Sequence, residues 1–164
     1  MTIDDLNSLD QEHFVAAIGW IFEHSPWVAE RVFDARPFAD LDGLHAAMTQ
    51  QVERATLAER RALIEAHPDL GARARLSEAS TAEQSGAGLD SLTPGEFEQL
   101  HRLNAAYRSR FGFPFLLAVK GSTKHDVLQA LQARMEATPE DEFQEALRQV
   151  YRIARFRLEG LITS

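Results

Sequence analysis

The sequence predicts an all-α fold, a single-domain bundle of about seven to eight helices over residues 1–164. Three observations lead to this prediction. The 164 residues include 24 Ala and 19 Leu but only 13 Val and Ile together, a composition that favours helix over strand. Helix-start signals recur along the chain, and apolar residues recur at helical spacing between them. A chain of this length supports one hydrophobic core and leaves no room for a second domain.

Four helix starts are predicted in the N-terminal half, each marked by a capping residue or by a proline that suits the first turn. They are Ser8 with Gln11, Ser25 with Pro26, Asp42, and Thr56 with Glu59. The fourth helix is predicted to run to Ala66. It ends there because Pro68 disfavours the helical conformation for the preceding residue, His67.

Four more helix starts are predicted in the C-terminal half. They are Ser80 with Glu83, Thr93 with Glu96, Ser122, and Thr138 with Pro139. The helix that follows Thr93 is predicted to end at Gly112, and the last helix to run to about Ile162. Between them, residues 113–119 contain a proline and show no helical period, so we expect one buried extended segment there.

The composition argues against several classes of protein. With 17 Lys and Arg against 25 Asp and Glu, the net charge is −8, which argues against binding to nucleic acid or to an anionic membrane. No run reaches the roughly 18 apolar residues of a membrane span, and the N-terminus is acidic, so we expect a cytoplasmic protein. There is no cysteine, no histidine pair at metal-binding spacing, no glycine-rich phosphate loop and no serine nucleophile elbow. No metal site is therefore expected.

Arg157 is a charged residue within the apolar face of the last helix. The residues that share this face are Phe143, Leu147, Val150, Ala154, Leu158 and Leu161. A buried guanidinium stays charged and needs an anionic partner. Two interpretations remain open at this point: an internal ion pair with an acidic residue, and the capture of an anionic group of a substrate.

His67 lies where a helix gives way to a loop, and Pro68 restricts its backbone. Because imidazole titrates closest to neutral pH, His67 is a candidate general acid or base. The other five histidines are expected to be ordinary surface residues: His13, His24, His45, His101 and His125. Glu83 has two interpretations, a cap of its own helix or a carboxylate within a site, and Gln84 adds an amide that can donate and accept.

Four motifs together resemble one known family. They are His67-Pro68-Asp69-Leu70-Gly71; Ser80-x-x-Glu83-Gln84-x-x-Ala87-Gly88-Leu89; Leu103-Asn104-x-x-Tyr107-x-x-Arg110-Phe111-Gly112-Phe113-Pro114-Phe115; and Ile153-Ala154-x-x-Arg157-Leu158. Their order and spacing, with the segment 14–38, resemble the 2-oxo-4-hydroxy-4-carboxy-5-ureidoimidazoline (OHCU) decarboxylases of urate degradation. The resemblance covers essentially the whole chain.

The resemblance implies an all-α enzyme that converts this small-molecule substrate to (S)-allantoin and carbon dioxide, with no cofactor, as a homodimer. It implies three catalytic residues: His67, Glu83 and Arg157. It implies a substrate pocket formed by Pro68, Ser80, Thr81, Ala82, Glu83, Gln84, Phe115, Leu116, Leu117, Ala118, Val119 and Arg157. The absence of a C-terminal Ser-Lys-Leu peroxisomal signal suggests a bacterial, cytoplasmic member.

A different class of function is also open. The tripeptide His67-Pro68-Asp69 between two helices is similar to the signature of J-domain co-chaperones, where it binds a partner and does not catalyse. That interpretation expects a basic helix before the tripeptide, yet the helix here carries Glu59 and Glu65 as well as arginines. A plain helical interaction domain, in which each buried charge has an internal partner, is a further alternative.

Overall fold

The computed structural model describes residues 1–71 and 77–163, and these residues form helices, turns and loops with no β-strand, as an all-α fold requires. The α-helices in the described part are α1 (Ile3–Asn7), α2 (Gln11–Ile18), α3 (Trp27–Val32), α4 (Leu41–Arg54), α5 (Leu57–Glu65), α6 (Glu78–Gly86), α7 (Pro94–Phe111), α8 (Lys124–Arg134) and α9 (Pro139–Leu161). Neither the short helix α1 nor the 3-10 helix Phe33–Ala35 that follows α3 is predicted from the sequence. The predicted all-α class is confirmed.

The described chain groups into two compact units, and the single domain over residues 1–164 stays a prediction. Unit 1 comprises residues 1–66 and 151–163, and unit 2 comprises residues 67–150, with residues 72–76 outside the described part. In unit 1, α3 packs against α2 and α4. Phe14 of α2 meets Phe33 edge-on at 5.3 Å and stacks with Phe38 at 6.5 Å, so aromatic contacts join the helices to the loop that follows α3.

Both tryptophans belong to unit 1. Trp20 lies between α2 and α3 with 41% of its surface exposed, and its Nε1 donates to the carbonyl of Ala17 at 2.8 Å. Trp27 is the first residue of α3, and the guanidinium of Arg31 lies 4.4 Å from its ring centroid. Unit 2 contains neither tryptophan.

Unit 2 is built on α7, which packs against α8. Tyr107 of α7 is fully buried and contacts the rings of Phe111, Phe113 and Phe115 at 4.6, 5.9 and 5.4 Å. Gly112 ends α7 with φ of +80°, a conformation that glycine adopts without strain. The chain then runs without a helix or strand through residues 113–119, where most side chains are buried, as the prediction of a buried segment without a helix requires.

The N-terminal caps show where local signals are ambiguous. The capping boxes at Thr56 with Glu59 and at Thr93 with Glu96 are confirmed. Five other helices begin one to three residues away from the predicted cap, with N-caps at Asp10, Pro26, Asp40, Ser77 and Thr123. In most of these places the chain offers two capping residues within three positions, and the packing of the helix, rather than the residue type, selects between them.

Candidate active site

His67 is the first residue of unit 2 and follows the end of α5 as predicted. It is 5% exposed, whereas none of the other five histidines is buried. A buried imidazole next to a proline has a restricted position, which is what proton transfer to a bound molecule requires. We refer to residues 67–71 as the His67 loop.

The backbone of the His67 loop is held by side chains from α6 and α7. Gln84 of α6 accepts a hydrogen bond from the N–H of Gly71 at 2.9 Å. Asn104 of α7 donates through Nδ2 to the carbonyl of Leu70 at 2.9 Å. One turn later on α7, Arg108 forms a more exposed ion pair with Asp69, the closest atoms lying 3.2 Å apart.

Gly71 closes the loop in a conformation that favours glycine, with φ of +74°. A Cβ atom at this position would lie 2.5 Å from Cδ2 of Leu100 on α7, far inside van der Waals contact. The end of the His67 loop therefore needs both the left-handed conformation and the missing side chain of glycine.

Helix α6 corrects the sequence analysis on the capping box predicted at Ser80 and Glu83. The helix begins at Glu78, and the hydroxyl of Ser77 caps it by accepting from the N–H of Ser80 at 3.1 Å. The capping-box rule favoured Ser80 because a Glu follows it at the third position, whereas Ser77 is followed by a Ser. Glu83 is consequently an interior, half-buried residue of α6 and does not cap its own helix.

The remaining predicted residues of α6 divide into two groups. Ser80 and Gln84 lie on the buried face together with the half-buried Glu83, because they are spaced by three and four positions. Thr81 and Ala82 are exposed, and the Thr81 hydroxyl donates to the carbonyl of Ser77 at 2.9 Å. The structure thus brings Ser80, Glu83 and Gln84 together and leaves the side chains of Thr81 and Ala82 on the solvent side.

Residues 115–119, which we call the extended run, are buried except for the half-buried Leu117. Three of its backbone groups have protein partners. Arg134 donates to the carbonyl of Leu116, Gln149 accepts from the N–H of Ala118 at 2.9 Å, and the carbonyl of Val119 accepts from Ser122 at 2.9 Å. Within residues 1–71 and 77–163, no acceptor faces the backbone N–H groups of the other four residues of the run. Buried N–H groups of this kind are costly unless something accepts from them.

Arg134 is itself held by a buried carboxylate. Its Nε donates to Oε1 of Glu142 at 2.6 Å, and the hydroxyl of Tyr107 donates to the same oxygen at 2.5 Å. Burial and the adjacent Glu142 carboxylate raise the pKa of Tyr107 far above its usual value, so the phenol stays protonated and remains a donor. No role for Asn104, Arg134 or Glu142 is predicted from the sequence. The available signal was the same as for Arg157, a polar residue on an apolar helix face, and it applied most clearly to Asn104.

Arg157 belongs to unit 1 and is 6% exposed, as its position in the apolar face predicts. Its Nη2 lies 2.7 Å from Oε2 of Glu23, and its Nη1 lies 3.3 Å from the carbonyl oxygens of Trp20 and Ile21. Of the two interpretations, the structure contains the internal ion pair. His24, which follows Glu23 in the chain, has φ of +46°, a backbone conformation that is uncommon outside glycine.

Two further expectations bear on the class of the site. Within residues 1–71 and 77–163, no group of three or more His, Asp or Glu side chains is arranged to bind a metal ion, and no helix is long and apolar enough to cross a membrane.

Of the arginines on the helix before the His67 loop, Arg61 pairs with Glu65 at 3.2 Å. This pairing reduces the free positive charge that a co-chaperone tripeptide would require beside it.

Comparisons with known proteins agree with this arrangement. A family model described as OHCU decarboxylase matches residues 7–159. The OHCU decarboxylase of Haloferax volcanii is 46% identical over 164 residues, which cover 100% of this chain and 98% of that protein. That of Halalkalicoccus jeotgali is 44% identical, over 98% of this chain and 92% of its own length. The uric acid degradation bifunctional protein PucL of Bacillus subtilis is 50% identical over 99% of this chain, which spans 33% of that longer protein.

Solved structures give the same result for the fold. The crystal structure of (S)-allantoin synthase superposes with a TM-score of 0.82 at 38% identity, covering 99% of this chain and 54% of that one. A crystal structure of OHCU decarboxylase in the presence of (S)-allantoin gives a TM-score of 0.72 at 21% identity, which supports the fold alone. Because the family model covers most of the chain and two relatives match it over nearly their full lengths, the chain belongs to the OHCU decarboxylase family.

Proposed function

We propose that this protein decarboxylates 2-oxo-4-hydroxy-4-carboxy-5-ureidoimidazoline and releases (S)-allantoin and carbon dioxide. The observation that carries the proposal is the full-length match to proteins of that name, together with a single buried histidine on a loop held by hydrogen bonds. A tripeptide that binds a protein partner must be accessible, so the burial of His67 argues against the co-chaperone class.

The substrate supplies its own electron sink. When the bond between the ring carbon and the carboxylate breaks, carbon dioxide leaves and its bonding electron pair stays on the ring carbon. The adjacent C=N bond of the ring delocalises that pair, so the proposed step needs no bound cofactor. The electron pair reaches the ring nitrogen, which takes up a proton, and an enol is left between the two ring carbons. The enol hydroxyl then gives up its proton and becomes a carbonyl of allantoin, while one proton is delivered to one face of the neighbouring carbon that carries the ureido group. The protein must hold the substrate, stabilise the developing charge and direct that proton.

We assign the proton delivery to His67. Glu83 accepts from the hydroxyl or an N–H of the substrate, which its interior position on α6 allows because the carboxylate is not used as an N-terminal cap. Gln84 uses its oxygen to hold Gly71, and within the described residues its Nε2 amide has no protein acceptor, so it can donate to the ureido arm. The N–H groups of the extended run are further donors for that arm.

Arg157 is proposed to hold an anionic or carbonyl oxygen of the substrate, as the resemblance implies. A guanidinium carries five N–H donors in a planar arrangement, so pairing with Glu23 fixes its orientation without excluding a further acceptor. A substrate-binding role and a purely structural ion pair predict different rates per folded molecule for Arg157→Met.

We also propose that the protein works as a homodimer in the cytoplasm. The support is the resemblance to the family together with the absence of cysteine and the acidic composition. Light scattering during size-exclusion chromatography measures the mass directly, and a particle of 18.4 kDa would contradict the dimer.

The test is to supply freshly generated substrate and follow circular dichroism at the absorption of allantoin. Because the uncatalysed reaction protonates either face, it gives a racemate without a signal. The protein should produce a growing signal of the (S) enantiomer at a rate proportional to its concentration. Exhaustive chelation should leave this rate unchanged. Formation of racemic allantoin at the uncatalysed rate would contradict the proposal, and an inactive protein that a metal ion restores would contradict its cofactor independence.

A further inference from the structure

We propose that α7 positions both parts of the site in unit 2, with Asn104 fixing the His67 loop and Tyr107 fixing the extended run. The inference rests on the proposed function, which assigns proton delivery to the loop and substrate binding to the run. Neither residue is proposed to touch the substrate, so both are positioning residues.

Asn104 acts on the His67 loop through the backbone. Its side chain is buried, with the residue 6% exposed, and its Nδ2 holds the carbonyl of Leu70 at 2.9 Å. Gln84 holds the next residue of the loop, Gly71, by its N–H. Two consecutive residues of the loop are therefore fixed by amides from two different helices. His67 lies three positions earlier on the same short loop, so its position depends on these bonds.

The second polar atom of Asn104 indicates that this residue serves more than stability. Its Oδ1 is buried and has no hydrogen-bond partner among the described residues. A buried acceptor without a donor destabilises the folded state, and this cost offsets part of what the bond to Leu70 contributes. A buried amide whose net contribution to stability is small is the pattern expected of a residue that maintains a functional geometry.

Tyr107 acts on the extended run through two intermediates. Its hydroxyl donates to Glu142 at 2.5 Å, and Glu142 accepts from Nε of Arg134 at 2.6 Å. Arg134 then donates to the carbonyl of Leu116. Its guanidinium also lies 4.4 Å from the centroid of the Phe115 ring, so it contacts two residues of the run. Because Glu142 and Tyr107 are almost fully buried, this chain of contacts is shielded from solvent.

Asn104 and Tyr107 are three positions apart on α7 and so lie on one face of the helix. A single rigid element thereby sets the positions of two segments that are distant in sequence. This arrangement predicts that the two residues affect different kinetic constants, because one acts on the group that works in the transition state and the other on groups that hold the substrate.

The first experiment compares Asn104→Leu with Asn7→Leu. Asn7 of unit 1 is a matched control because its amide also holds loop backbone, donating to the carbonyl of Phe38 and accepting from its N–H, both at 2.9 Å. We expect Asn104→Leu to lower kcat by about 10–100-fold while KM changes by less than about threefold. We expect Asn7→Leu to lower Tm more than Asn104→Leu does and to leave kcat per folded molecule unchanged. Equal kcat values for the two variants would overturn the positioning role.

The second experiment tests Tyr107→Phe, which removes one hydroxyl and keeps the aromatic packing. We expect KM to rise by about three- to tenfold, the value of one buried hydrogen bond, with kcat nearly unchanged. A fall in kcat without a change in KM would overturn the assignment of Tyr107 to the binding segment.

A third measurement separates this inference from the proposed function. In a nuclear magnetic resonance spectrum of the imidazole groups, the His67 resonance is identified by its loss in His67→Ala. This resonance should shift in Asn104→Leu and not in Asn7→Leu. The other five histidines serve as internal controls. If the wild type produces no allantoin, the proposed function fails while this spectrum still tests the position of His67. Asn104→Ser, which leaves a smaller side chain, takes the place of Asn104→Leu if the latter does not fold. An unshifted His67 resonance in the folded variant contradicts the inference.

Discussion

Arg157 in unit 1 and Asn104 in unit 2 are both polar residues on the apolar face of a helix, and each donates to backbone carbonyl oxygens of a loop. They differ in charge. Arg157 contacts the carbonyls of Trp20 and Ile21 and is neutralised by Glu23, at 4% and 1% side-chain exposure for the pair. Asn104 holds its loop with a neutral amide, and its own oxygen has no partner in the part of the chain that the structure describes.

This difference in charge determines how much the free energy of unfolding falls when Arg157 or Asn104 is replaced. Taking one member from a buried ion pair leaves a charge without its partner, and the whole structure around it becomes less stable. Taking away a neutral amide leaves one carbonyl without a donor and releases the geometry of a short loop. We therefore expect the region around Arg157 to respond to substitution mainly in stability, and the region around Asn104 mainly in rate.

The largest expected effect is on the rate of His67→Ala. If His67 supplies the proton, its loss should lower the rate of allantoin formation by about 10²–10⁴-fold. Because His67 is buried, its truncation leaves a small cavity and should also lower Tm, so the rate is compared per folded molecule. A variant that keeps a rate near that of the wild type would remove His67 from the mechanism. The expectation that the region around Asn104 affects mainly the rate would then fail as well.

Arg157→Met tests whether the region around Arg157 responds to substitution mainly in stability. Removing the guanidinium leaves Glu23 as a buried carboxylate without this partner, and we expect a loss of about 3–5 kcal/mol in the free energy of unfolding. The double variant with Glu23→Met should recover much of that loss. The measurement is the midpoint of denaturant unfolding for the single and double variants.

The same proteins decide whether Arg157 also binds substrate. If it does, the rate per folded molecule falls steeply in Arg157→Met, and Arg157→Lys restores it only in part because an ammonium lacks the planar arrangement of donors. A normal rate per folded molecule in Arg157→Met, measured at a temperature where the variant is folded, would leave the residue a structural role alone.

Gly71→Ala gives an intermediate effect on the His67 loop. The positive φ and the close approach of Leu100 should together cost about 1–3 kcal/mol and move the end of the loop, which lowers kcat. Gly95→Ala is the matched control, since a Cβ there meets nothing within 4 Å in the first turn of α7, and it should be neutral or stabilising by up to about 1 kcal/mol. Equal stability of the two variants would contradict the strain argument.

The smallest expected effect comes from the half-buried ion pair of Lys124 and Glu96, in contrast to the buried pair of Arg157 and Glu23. A hydrogen bond from Lys124, at 2.8 Å, and the N–H of Thr93 lower the pKa of Glu96 from 4.5 to about 2. A carboxyl whose pKa is lowered by folding stabilises the protein fully above its unfolded value and loses that contribution as the pH falls through the folded value. The difference in Tm between the wild type and Lys124→Met should therefore have its full value, which is small for a partly exposed pair, above pH 4.5. It should decrease as the pH falls and disappear as the pH approaches about 2. A difference that is independent of pH would contradict this.

Local signals predicted the elements of the fold well. Capping boxes, Pro68 and Gly112 act within a few residues, so the ends of α5 and α7 follow from the sequence. The start of α6 does not, because Ser77 and Ser80 are both suitable caps and only packing chooses between them. That choice changes the role of Glu83 from a cap to an interior side chain, so a shift of three residues alters the site.

The partners of the buried polar residues could not be predicted in the same way. The apolar stripe of α9 indicated that Arg157 is buried, but Glu23 lies 134 positions away and belongs to a turn without a distinctive pattern. Asn104 reaches Leu70 across 34 positions. One sequence contains no information on such pairs beyond the requirement that a buried charge or amide has a partner. The resemblance implied which residues form the site, while their contacts follow from the three-dimensional structure.

The placement of both tryptophans in unit 1 has a spectroscopic consequence. Tryptophan fluorescence, excited where tyrosine does not absorb, follows Trp20, whose backbone carbonyl accepts from Arg157, and Trp27, whose ring contacts Arg31. This signal has no fluorophore in unit 2, whereas far-ultraviolet circular dichroism detects the helices of both units. Coincident transitions by the two probes would mean that residues 1–164 melt as one cooperative domain. Separate transitions would show, without any label or added chromophore, which unit lost its structure first.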